Sequence, residues 1–399
     1  MPRPRPLMLP ALLQMLVVSM SLLLPATDSA GQTVTILHSF EWGEDGAYPQ
    51  AGLVMDAEGN LYGTTVQGAT GDLGTVFEVA PNGVETVLYH NFSGWRGWGP
   101  SATLVRDQNG TLYGTTFQGG GGPCDSGFGC GTVFLVRGNQ NGRVLHHFKP
   151  GFEGWGPNGS LILDSAGNLY GTTVYGGVHG VGTIFKIAPD RTFTVVYSFD
   201  GEHGSTPFGG LVRDDAGNFY GTTQYGGSHD CGTGSGCGTV FKITPFGEET
   251  VLHSFSGSPD GSYPVASLVL DPQGNLYGTT EGGGAHGMGM VFEVNSAGEE
   301  QILYSFKGGA DGGRPAANLV RDRSGNLYGV TSMDGMYTFG TVFKLTRNGK
   351  KEVLHSFSGY PDDGGYPMGA LVLDTQGNLY GTTSIGGANR VGIVFKFTP

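Results

Sequence analysis

The chain has 399 residues with a formal net charge of −13, and 75 of its residues are glycine. Charged residues make up only 14% of the chain and hydrophobic residues 38%, which excludes a charge-rich disordered protein. The acidic balance also disfavours nucleic acids and anionic membrane surfaces as partners. A glycine-rich all-β protein fits these proportions.

The N-terminus has the plan of a secretory signal peptide. Two arginines precede an apolar run over residues 7–24, and small residues follow. We therefore expect residues 1–30 to be a signal peptide and residues 33–399 to form a single domain. A cut after Ser29 and retention as an uncleaved anchor remain open. The protein is accordingly expected to be secreted, periplasmic or at the cell surface, with no other membrane association.

A phrase of the form Leu-Tyr-Gly-Thr-Thr, or a close variant, recurs seven times at intervals of 50 to 57 residues. Its tyrosines are Tyr62, Tyr113, Tyr170, Tyr220, Tyr277, Tyr328 and Tyr380. Periods near 50 that hold several short apolar segments are typical of propeller blades, and no helical 3.6-residue pattern is visible. The sequence therefore predicts an all-β, seven-bladed β-propeller of four-stranded blades.

The fifth repeat illustrates the four predicted strands of a blade: Ala266–Leu270, Asn275–Thr280, Met290–Val294 and Gln301–Phe306. An Asp-x-x-Gly-Asn turn joins the first two strands, and tight turns such as Asn-Gly join the last two. Both tight turns must lie on one face of the ring. The longer, variable connections therefore share the opposite face, which we call the loop face.

The number of strands also predicts how the ring closes. The last repeat has no fourth strand after its third, whereas Thr33–Phe40 reads as a fourth strand with no other three before it. We expect this N-terminal strand to complete the last blade, which leaves no open sheet edge.

The motif Leu-Val-x-Asp-x-x-Gly-Asn-Leu-Tyr-Gly-Thr-Thr, followed by Gly-Gly, Gly-Thr-Val-Phe-Lys and Leu-His-Ser-Phe, resembles the GloVer (Gloeo_Verruco) tandem repeat of exported bacterial proteins. The resemblance covers essentially the whole chain after residue 33. It implies export and a propeller, but no activity, because the family has no established catalytic residues.

Residues that recur in every blade are explained by the blade, whereas residues present once or twice are not required by the fold. This filter assigns three repeated sets to structure. The first is the turn aspartates, Asp56, Asp107, Asp164, Asp214, Asp271, Asp322 and Asp374. The second is one fourth-strand position, occupied by His38, His90, His146, Tyr197, His253, Tyr304 and His355. The third is the connection aspartates, for which a cation-attracting collar is the alternative: Asp45, Asp260, Asp311 and Asp363.

All four tryptophans pass the filter and fall in three successive connections between a fourth and a first strand. Trp98 and Trp155 share a Gly-Trp-Gly-Pro sequence, and polar residues lie beside them. Tryptophan next to hydrogen-bonding side chains suits a sugar ring, which stacks through its apolar face. The alternative is that the tryptophans fill gaps between glycine-rich blades. The predicted ligand-binding residues are Trp42, Trp95, Arg96, Trp98, Glu153 and Trp155.

Four cysteines form two C-x5-C pairs at the same loop position of the second and fourth repeats. In an exported protein these pairs predict two local disulfides, Cys124–Cys130 and Cys231–Cys237. Zinc is the alternative, although its sites normally have closer cysteines. We expect no metal site and no cofactor.

The leading functional hypothesis is a monomeric, non-enzymatic binding or scaffold propeller whose ligand is a glycan or a protein. The alternative is an extracellular glycan-active hydrolase or lyase, for which a pair of carboxylates near the channel is needed. A surface-layer or matrix component is a third hypothesis. The unrepeated carboxylates on the predicted loop face are Glu41, Glu44, Glu153, Asp200 and Glu202.

Overall fold

The computed structural model describes residues 33–69, 71–124, 127–139, 141–232 and 234–399. The predicted signal peptide lies outside these described residues. Seven antiparallel sheets, each with four main strands, form the blades of a ring, which confirms the all-β, seven-bladed propeller. No helix in the described parts of the chain is long and apolar enough to cross a membrane.

Each blade has an inner, a second, a third and an outer strand, and blades 1 to 7 follow chain order. The inner strands are Val54–Met55, Val105–Arg106, Ile162–Leu163, Val212–Arg213, Val269–Leu270, Val320–Arg321 and Val372–Leu373. The second strands are Leu61–Thr65, Leu112–Thr116, Leu169–Tyr175, Phe219–Thr223, Leu276–Thr280, Leu327–Thr331 and Leu379–Thr383.

The third strands are Thr75–Val79, Thr132–Val136, Thr183–Ile187, Thr239–Ile243, Met290–Val294, Thr341–Leu345 and Ile393–Thr398. The outer strands of blades 1 to 6 are Glu85–Tyr89, Gly142–His147, Phe193–Ser198, Glu249–Ser254, Glu300–Ser305 and Lys351–Ser356. The connections add the short strands Trp155–Pro157, Gly261–Ser262, Gly282–Gly283, Gly364–Gly365 and Ile385–Gly386, and a 3-10 turn at Gly309–Asp311.

The two ends of the described chain share one sheet. Thr33–Ser39 pairs antiparallel with Ile393–Thr398 and takes the place of the outer strand of blade 7. Phe40, which follows it, is fully buried, and its ring meets that of Phe77 in blade 1 edge to face at 5.1 Å. The N-terminal strand therefore belongs to the last blade and also packs against the first.

The repeated phrase is explained by close contacts inside each blade. A Cβ atom on Gly63 would lie 2.5 Å from the ring of Phe77, so only glycine admits the buried phenylalanine of the third strand. A Cβ atom on Gly46 would lie 2.3 Å from Thr65 Oγ1, which in turn hydrogen-bonds Thr75 Oγ1 at 2.9 Å. The glycines and threonines of the motif are thus packing requirements of the blade.

The turn aspartates have the predicted structural role. Asp271 Oδ1 accepts hydrogen bonds of 2.9 Å from the N–H groups of Gln273 and Asn275. The hydroxyl of Tyr277 also donates to Asp271 Oδ2 at 3.2 Å, a bond that the sequence did not predict. Burial raises the pKa of Asp271, but these hydrogen bonds outweigh burial and leave the pKa below its usual value. The repeated tyrosine therefore anchors the turn.

The inner strands are shorter than predicted. Blade 5 has Val269–Leu270 rather than Ala266–Leu270, because the residues before Val269 bond to the neighbouring blade. Thr222 Oγ1 donates to the carbonyl oxygen of Ala266 at 2.9 Å, and Gly210 N–H donates to Ser267 Oγ at 2.8 Å. Of these residues, Gly210 and Ser267 line the central cavity of the ring.

The predicted set of outer-strand histidines is wrong in blade 1. Tyr89, and not His90, lies opposite Val76, at the position that His253 holds in blade 4. Blade 1 has one extra residue before Phe92, so counting back from the phenylalanine selects the wrong residue. His90 therefore does not belong to the repeated set.

Candidate binding site on the loop face

A cavity of about 360 Å³ lies on the axis of the ring, and all seven blades line it. Each connection from an outer strand to an inner strand has a proline at one repeated position: Pro49, Pro100, Pro157, Pro207, Pro264, Pro315 and Pro367. The residues that follow these prolines form the cavity wall, together with the residues after the second strands of blades 4 and 5. Most wall residues are small. The larger polar ones are Gln50, Asn158, Gln224, Glu281 and Asn318.

The cavity wall is closely packed between neighbouring blades. A Cβ atom on Gly369 would lie 2.3 Å from the carbonyl oxygen of Ala51. The wall segments are also joined by hydrogen bonds, such as the one of 2.7 Å from Ser267 N–H to Asn318 Oδ1. Because both contacts join adjacent blades, the wall is preformed by closure of the ring.

Glu281 is the charged group of this wall. It follows Thr280 at the end of the second strand of blade 5 and is partly buried. Burial raises the pKa of its carboxyl group, and the positive charge of Arg314 opposes that shift. Glu281 is not among the site residues predicted from the sequence. The available signal was the residue after the Thr-Thr of the repeat, which differs from blade to blade: Val66, Phe117, Val174, Gln224, Glu281, Ser332 and Ser384.

The residue before each repeated proline has a left-handed backbone. In five blades it is not glycine and has φ between 53° and 59°, a conformation that costs free energy in such residues. Its N–H bonds to the preceding blade, as in the 2.9 Å bond from Arg314 N–H to the carbonyl oxygen of Met288. Residues of varied chemistry therefore share one fixed backbone conformation just before the segments of the cavity wall: Tyr48, Thr206, Tyr263, Arg314 and Tyr366.

Trp98 and Trp155 occupy one repeated position, which pairs with the end of the second strand of the same blade. The other five blades have small residues there, namely Ala47, Ser205, Ser262, Gly313 and Gly365. The blade therefore does not require tryptophan at this position.

Trp155 is part of an aromatic surface that we call the aromatic platform, formed by Phe117, Trp155 and Tyr175. The rings of Trp155 and Tyr175 stack at 4.4 Å with an interplanar angle of 28°, and Phe117 meets Tyr175 at 6.4 Å. Tyr175 is 39% exposed. Phe117 follows Thr116 in blade 2 as Glu281 follows Thr280 in blade 5, and Trp155 lies three residues before Asn158 of the cavity wall. The platform is therefore joined to the wall through the connection into blade 3.

The other tryptophans have separate ring partners. Trp42 meets Tyr48 at 5.3 Å, and Trp98 meets Phe128 at 5.5 Å. Trp95 lies 4.7 Å from the ring of His147 and is 66% exposed. Each of the four predicted tryptophans therefore packs against a different ring, and Trp155 is the one that belongs to the aromatic platform.

The two polar residues predicted beside the tryptophans differ in their surroundings. Glu153 Oε2 lies 3.2 Å from His146 Nε2, as Asp45 lies 3.0 Å from His38. Glu153 thus takes the place of a connection aspartate, which gives it a structural partner. Arg96 is exposed. A ligand-binding role for either residue stays a prediction.

The predicted disulfides are confirmed. Cys124 is bonded to Cys130 and Cys231 to Cys237, with Cα separations of 4.9 and 5.3 Å. Both lie in connections between a second and a third strand, on the loop face. The zinc alternative is therefore wrong for these cysteines.

Comparisons with known proteins agree with this fold. The family model of the Gloeobacter/Verrucomicrobia repeat matches residues 26–234 and 232–399. The extracellular domain described as that of a hybrid two-component system from B. thetaiotaomicron aligns with 91% of this chain at 11% identity and a TM-score of 0.56. This chain spans only 39% of that longer domain.

A protein from Xanthomonas campestris described as a gluconolactonase aligns over 92% of this chain and 90% of its own length, with 14% identity and a TM-score of 0.44. The chain has no match among curated protein sequences. At 11% identity, the similarity to the extracellular domain from B. thetaiotaomicron concerns the fold alone.

Proposed function

The chain belongs to the Gloeobacter/Verrucomicrobia repeat family, and we propose that it is an exported, non-enzymatic binding propeller. Its ligand is a small glycan, bound at the loop-face mouth of the central cavity. The sugar hydroxyls hydrogen-bond to the polar wall residues, and an extension of the glycan reaches the aromatic platform.

The observation that carries this proposal is the combination of a preformed polar cavity and an aromatic surface that begins beside it. A volume of about 360 Å³ falls within the range of about 300–1,000 Å³ that is common for small-ligand pockets. Amide groups such as those of Gln224 and Asn158 both donate and accept hydrogen bonds, as sugar hydroxyls do. Aromatic rings such as Trp155 offer a flat apolar face with a polar tip.

The number and the partners of the carboxylates favour binding over glycan hydrolysis. Among the described residues that line the cavity, Glu281 is the single carboxylate. Hydrolysis by two carboxylates needs a second one about 5–9.5 Å away. Two of the unrepeated carboxylates are already hydrogen-bonded to histidines, since Glu153 contacts His146 and Asp200 contacts His203 at 2.6 Å.

Export is supported by the disulfides. Cys124–Cys130 and Cys231–Cys237 are local bridges, and such bridges persist in oxidising compartments outside the cytosol. The N-terminal segment read as a signal peptide agrees with this placement.

A glycan array tests the proposal directly. We expect the mature protein to bind a defined set of glycans, and both Glu281→Gln and Trp155→Ala to weaken binding about fivefold or more, because each weakens or removes a contact worth about 1 kcal/mol or more. Phe246→Ala is the matched aromatic control, since Phe246 is 92% exposed and lies in a turn on the opposite face. It should bind as the parent protein does.

Two outcomes would overturn the proposal. Unchanged binding by both Glu281→Gln and Trp155→Ala would remove the site. Release of shorter sugars by the parent protein, lost in Glu281→Gln, would replace binding with hydrolysis. Trp98→Ala, tested in the same array, shows whether the second tryptophan at this repeated position also contributes.

A further inference from the structure

The rim of the propeller carries a second series of contacts, far from the channel, between the outer strands of neighbouring blades. The histidine or tyrosine near the end of one outer strand faces the first residue of the next outer strand. His146 stacks on Phe193 at 4.1 Å, and the hydroxyl of Tyr197 donates to a carboxylate oxygen of Glu249. The chemistry of this pair changes from one blade interface to the next.

The interface between blades 4 and 5 brings three possible metal ligands together. His253 ends the outer strand of blade 4, Asp260 follows in the connection, and Glu300 begins the outer strand of blade 5. His253 Nε2 lies 3.3 Å from Asp260 Oδ2. Among the described residues, these form the one set of three histidine, cysteine or acidic side chains whose possible ligand atoms all lie within 4.8 Å of one another.

One carboxylate oxygen of this set has no partner in the protein. Glu300 Oε1 is buried without a hydrogen bond, as are Glu85 Oε1 and Glu249 Oε1 at the same strand position of blades 1 and 4. A buried carboxylate oxygen needs a donor or a cation, and at Glu300 of blade 5 the other two possible ligands lie within 4.8 Å. The fold thus holds two carboxylates beside one histidine with their negative charge incompletely balanced.

At the next interface, between blades 5 and 6, a lysine replaces the glutamate at the start of the outer strand. Lys351 occupies in blade 6 the strand position of Glu300, and Asp311 occupies the connection position of Asp260. Lys351 Nζ donates to Asp311 Oδ1 at 2.9 Å, and the lysine side chain is only 3% exposed. The interface between blades 5 and 6 therefore contains a buried cation, supplied by the chain itself.

The carboxylate of Asp260 is held in place for a ligand. Its Oδ2 accepts a hydrogen bond of 2.9 Å from Ser256 N–H, and its Oδ1 accepts one of 2.7 Å from Gly261 N–H. Hydrogen bonds of this kind orient metal ligands in proteins. The side chains of His253 and Asp260 are 21% and 18% exposed, so water has access to complete a coordination shell.

We propose that the interface between blades 4 and 5 binds one divalent transition-metal ion through His253 Nε2 and the carboxylates of Asp260 and Glu300. Two ligands that each lie about 2.0–2.1 Å from a tetrahedral zinc ion are themselves about 3.3 Å apart, which is the separation of His253 Nε2 and Asp260 Oδ2. One nitrogen and two carboxylate donors suit zinc and its first-row neighbours. The ion replaces the ammonium group that balances Asp311 at the next interface and joins two blades at the rim.

Zinc titration of tag-free protein, stripped with a chelator and followed by calorimetry and thermal unfolding, tests this site. We expect one zinc ion per chain and a higher melting temperature with zinc. Loss of an outer-shell partner costs about 10–100-fold in metal affinity, so Glu300→Gln and His253→Tyr should each cost about 100-fold or more. Tyrosine stands at the position of His253 in blades 1, 3 and 5, where it packs against the phenylalanine that follows in the chain.

Two further variants separate metal binding from a structural role. Glu249→Gln changes the same strand position at the interface of blades 3 and 4, where the partner is Tyr197, and should leave zinc binding unchanged. Glu300→Lys copies the interface of blades 5 and 6, so it should abolish binding while the protein without zinc stays folded and at least as stable as the parent.

The proposal is overturned if the parent protein binds no zinc at millimolar concentration. It is equally overturned if one-to-one binding survives both Glu300→Gln and His253→Tyr, which would place the ion at other residues such as the exposed His179, His229 and His286.

Discussion

Thr382 donates a 2.8 Å hydrogen bond from Oγ1 to the carbonyl oxygen of Ala51, a residue 331 positions earlier in the chain. The same bond joins blade 3 to blade 4, from Thr172 Oγ1 to Gly209 O at 3.0 Å. The junction between the last and the first blade is therefore built with the same contacts as the junctions between blades that follow each other in sequence.

We expect deletion of residues 33–40 to lower the melting temperature sharply. The deletion exposes an edge of Ile393–Thr398 and empties the space filled by the buried ring of Phe40. Scanning calorimetry of a chain that begins at Glu41, beside one that begins at Thr33, measures the effect. Phe40→Ala alone should cost about 3–5 kcal/mol in the free energy of unfolding. An unchanged melting temperature in the shortened chain would show that Thr33–Ser39 does not hold the ring together.

Gly369→Ala should destabilise the ring at the cavity wall. The added Cβ would lie 2.3 Å from the carbonyl oxygen of Ala51, so the backbone of one blade must move. We expect a cost of about 1–3 kcal/mol in urea unfolding, as for other overpacked sites. Gly94→Ala is the control, because a Cβ at Gly94 meets nothing within 4 Å and its φ is an ordinary one. Equal midpoints for the two variants would contradict close packing of the wall.

Glu85 should make stability fall as the pH rises through the slightly acidic range. Burial raises the pKa of Glu85 from 4.5 to about 7, the charge of Asp45 raises it further and that of His38 opposes both. The native state keeps a proton that the unfolded chain has released, so unfolding becomes easier between pH 4.5 and about pH 7.

The variant Glu85→Gln should lack this contribution, which is on the order of 1–2 kcal/mol after allowance for solvent screening. Denaturant midpoints measured from pH 4.5 to pH 8 give the comparison. Glu58→Gln, at an exposed site, serves as the control and should follow the parent protein. A Glu85→Gln profile that runs parallel to the parent profile would contradict a raised pKa.

Reduction of the disulfides should lower stability without unfolding the ring. Each bridge closes a short loop, with a sequence separation of 6, and such a loop is worth about 2 kcal/mol in the chain-entropy estimate. Thiol titration should find no free cysteine in the oxidised protein and four after reduction under denaturing conditions. Thermal unfolding with and without reductant measures the loss of stability. An unaltered melting temperature after complete reduction would show that the bridges are energetically neutral.

Most of the fold was predictable from the sequence, because each blade is specified locally. The turn aspartates and the two cystine loops involve residues that are close in sequence, and their patterns recur. Even so, the outer strand of blade 1 was misassigned, since one inserted residue places Tyr89 rather than His90 opposite Val76. An insertion of this kind changes strand register, which a repeat pattern alone does not reveal.

The candidate sites were less predictable, because their residues come from different blades or from variable positions within the repeat. Trp155 was recognised as unrepeated, but its partner Tyr175 lies at a position that differs from blade to blade. Glu281 was missed for the same reason. Neither residue has a motif of its own, and only packing around the axis gives them a common location.

The sequence alone determined the number of blades, the face that carries the long loops and the disulfide pairs, because these depend on local turns and on repetition. Only the tertiary structure decided which variable side chains meet. His253 and Glu300 belong to consecutive blades, and their approach depends on the twist and register with which one sheet packs on the next. The same packing decides that Glu281 stands in the wall of the channel. Contacts between sheets are set by the geometry of the whole ring, which no single repeat encodes.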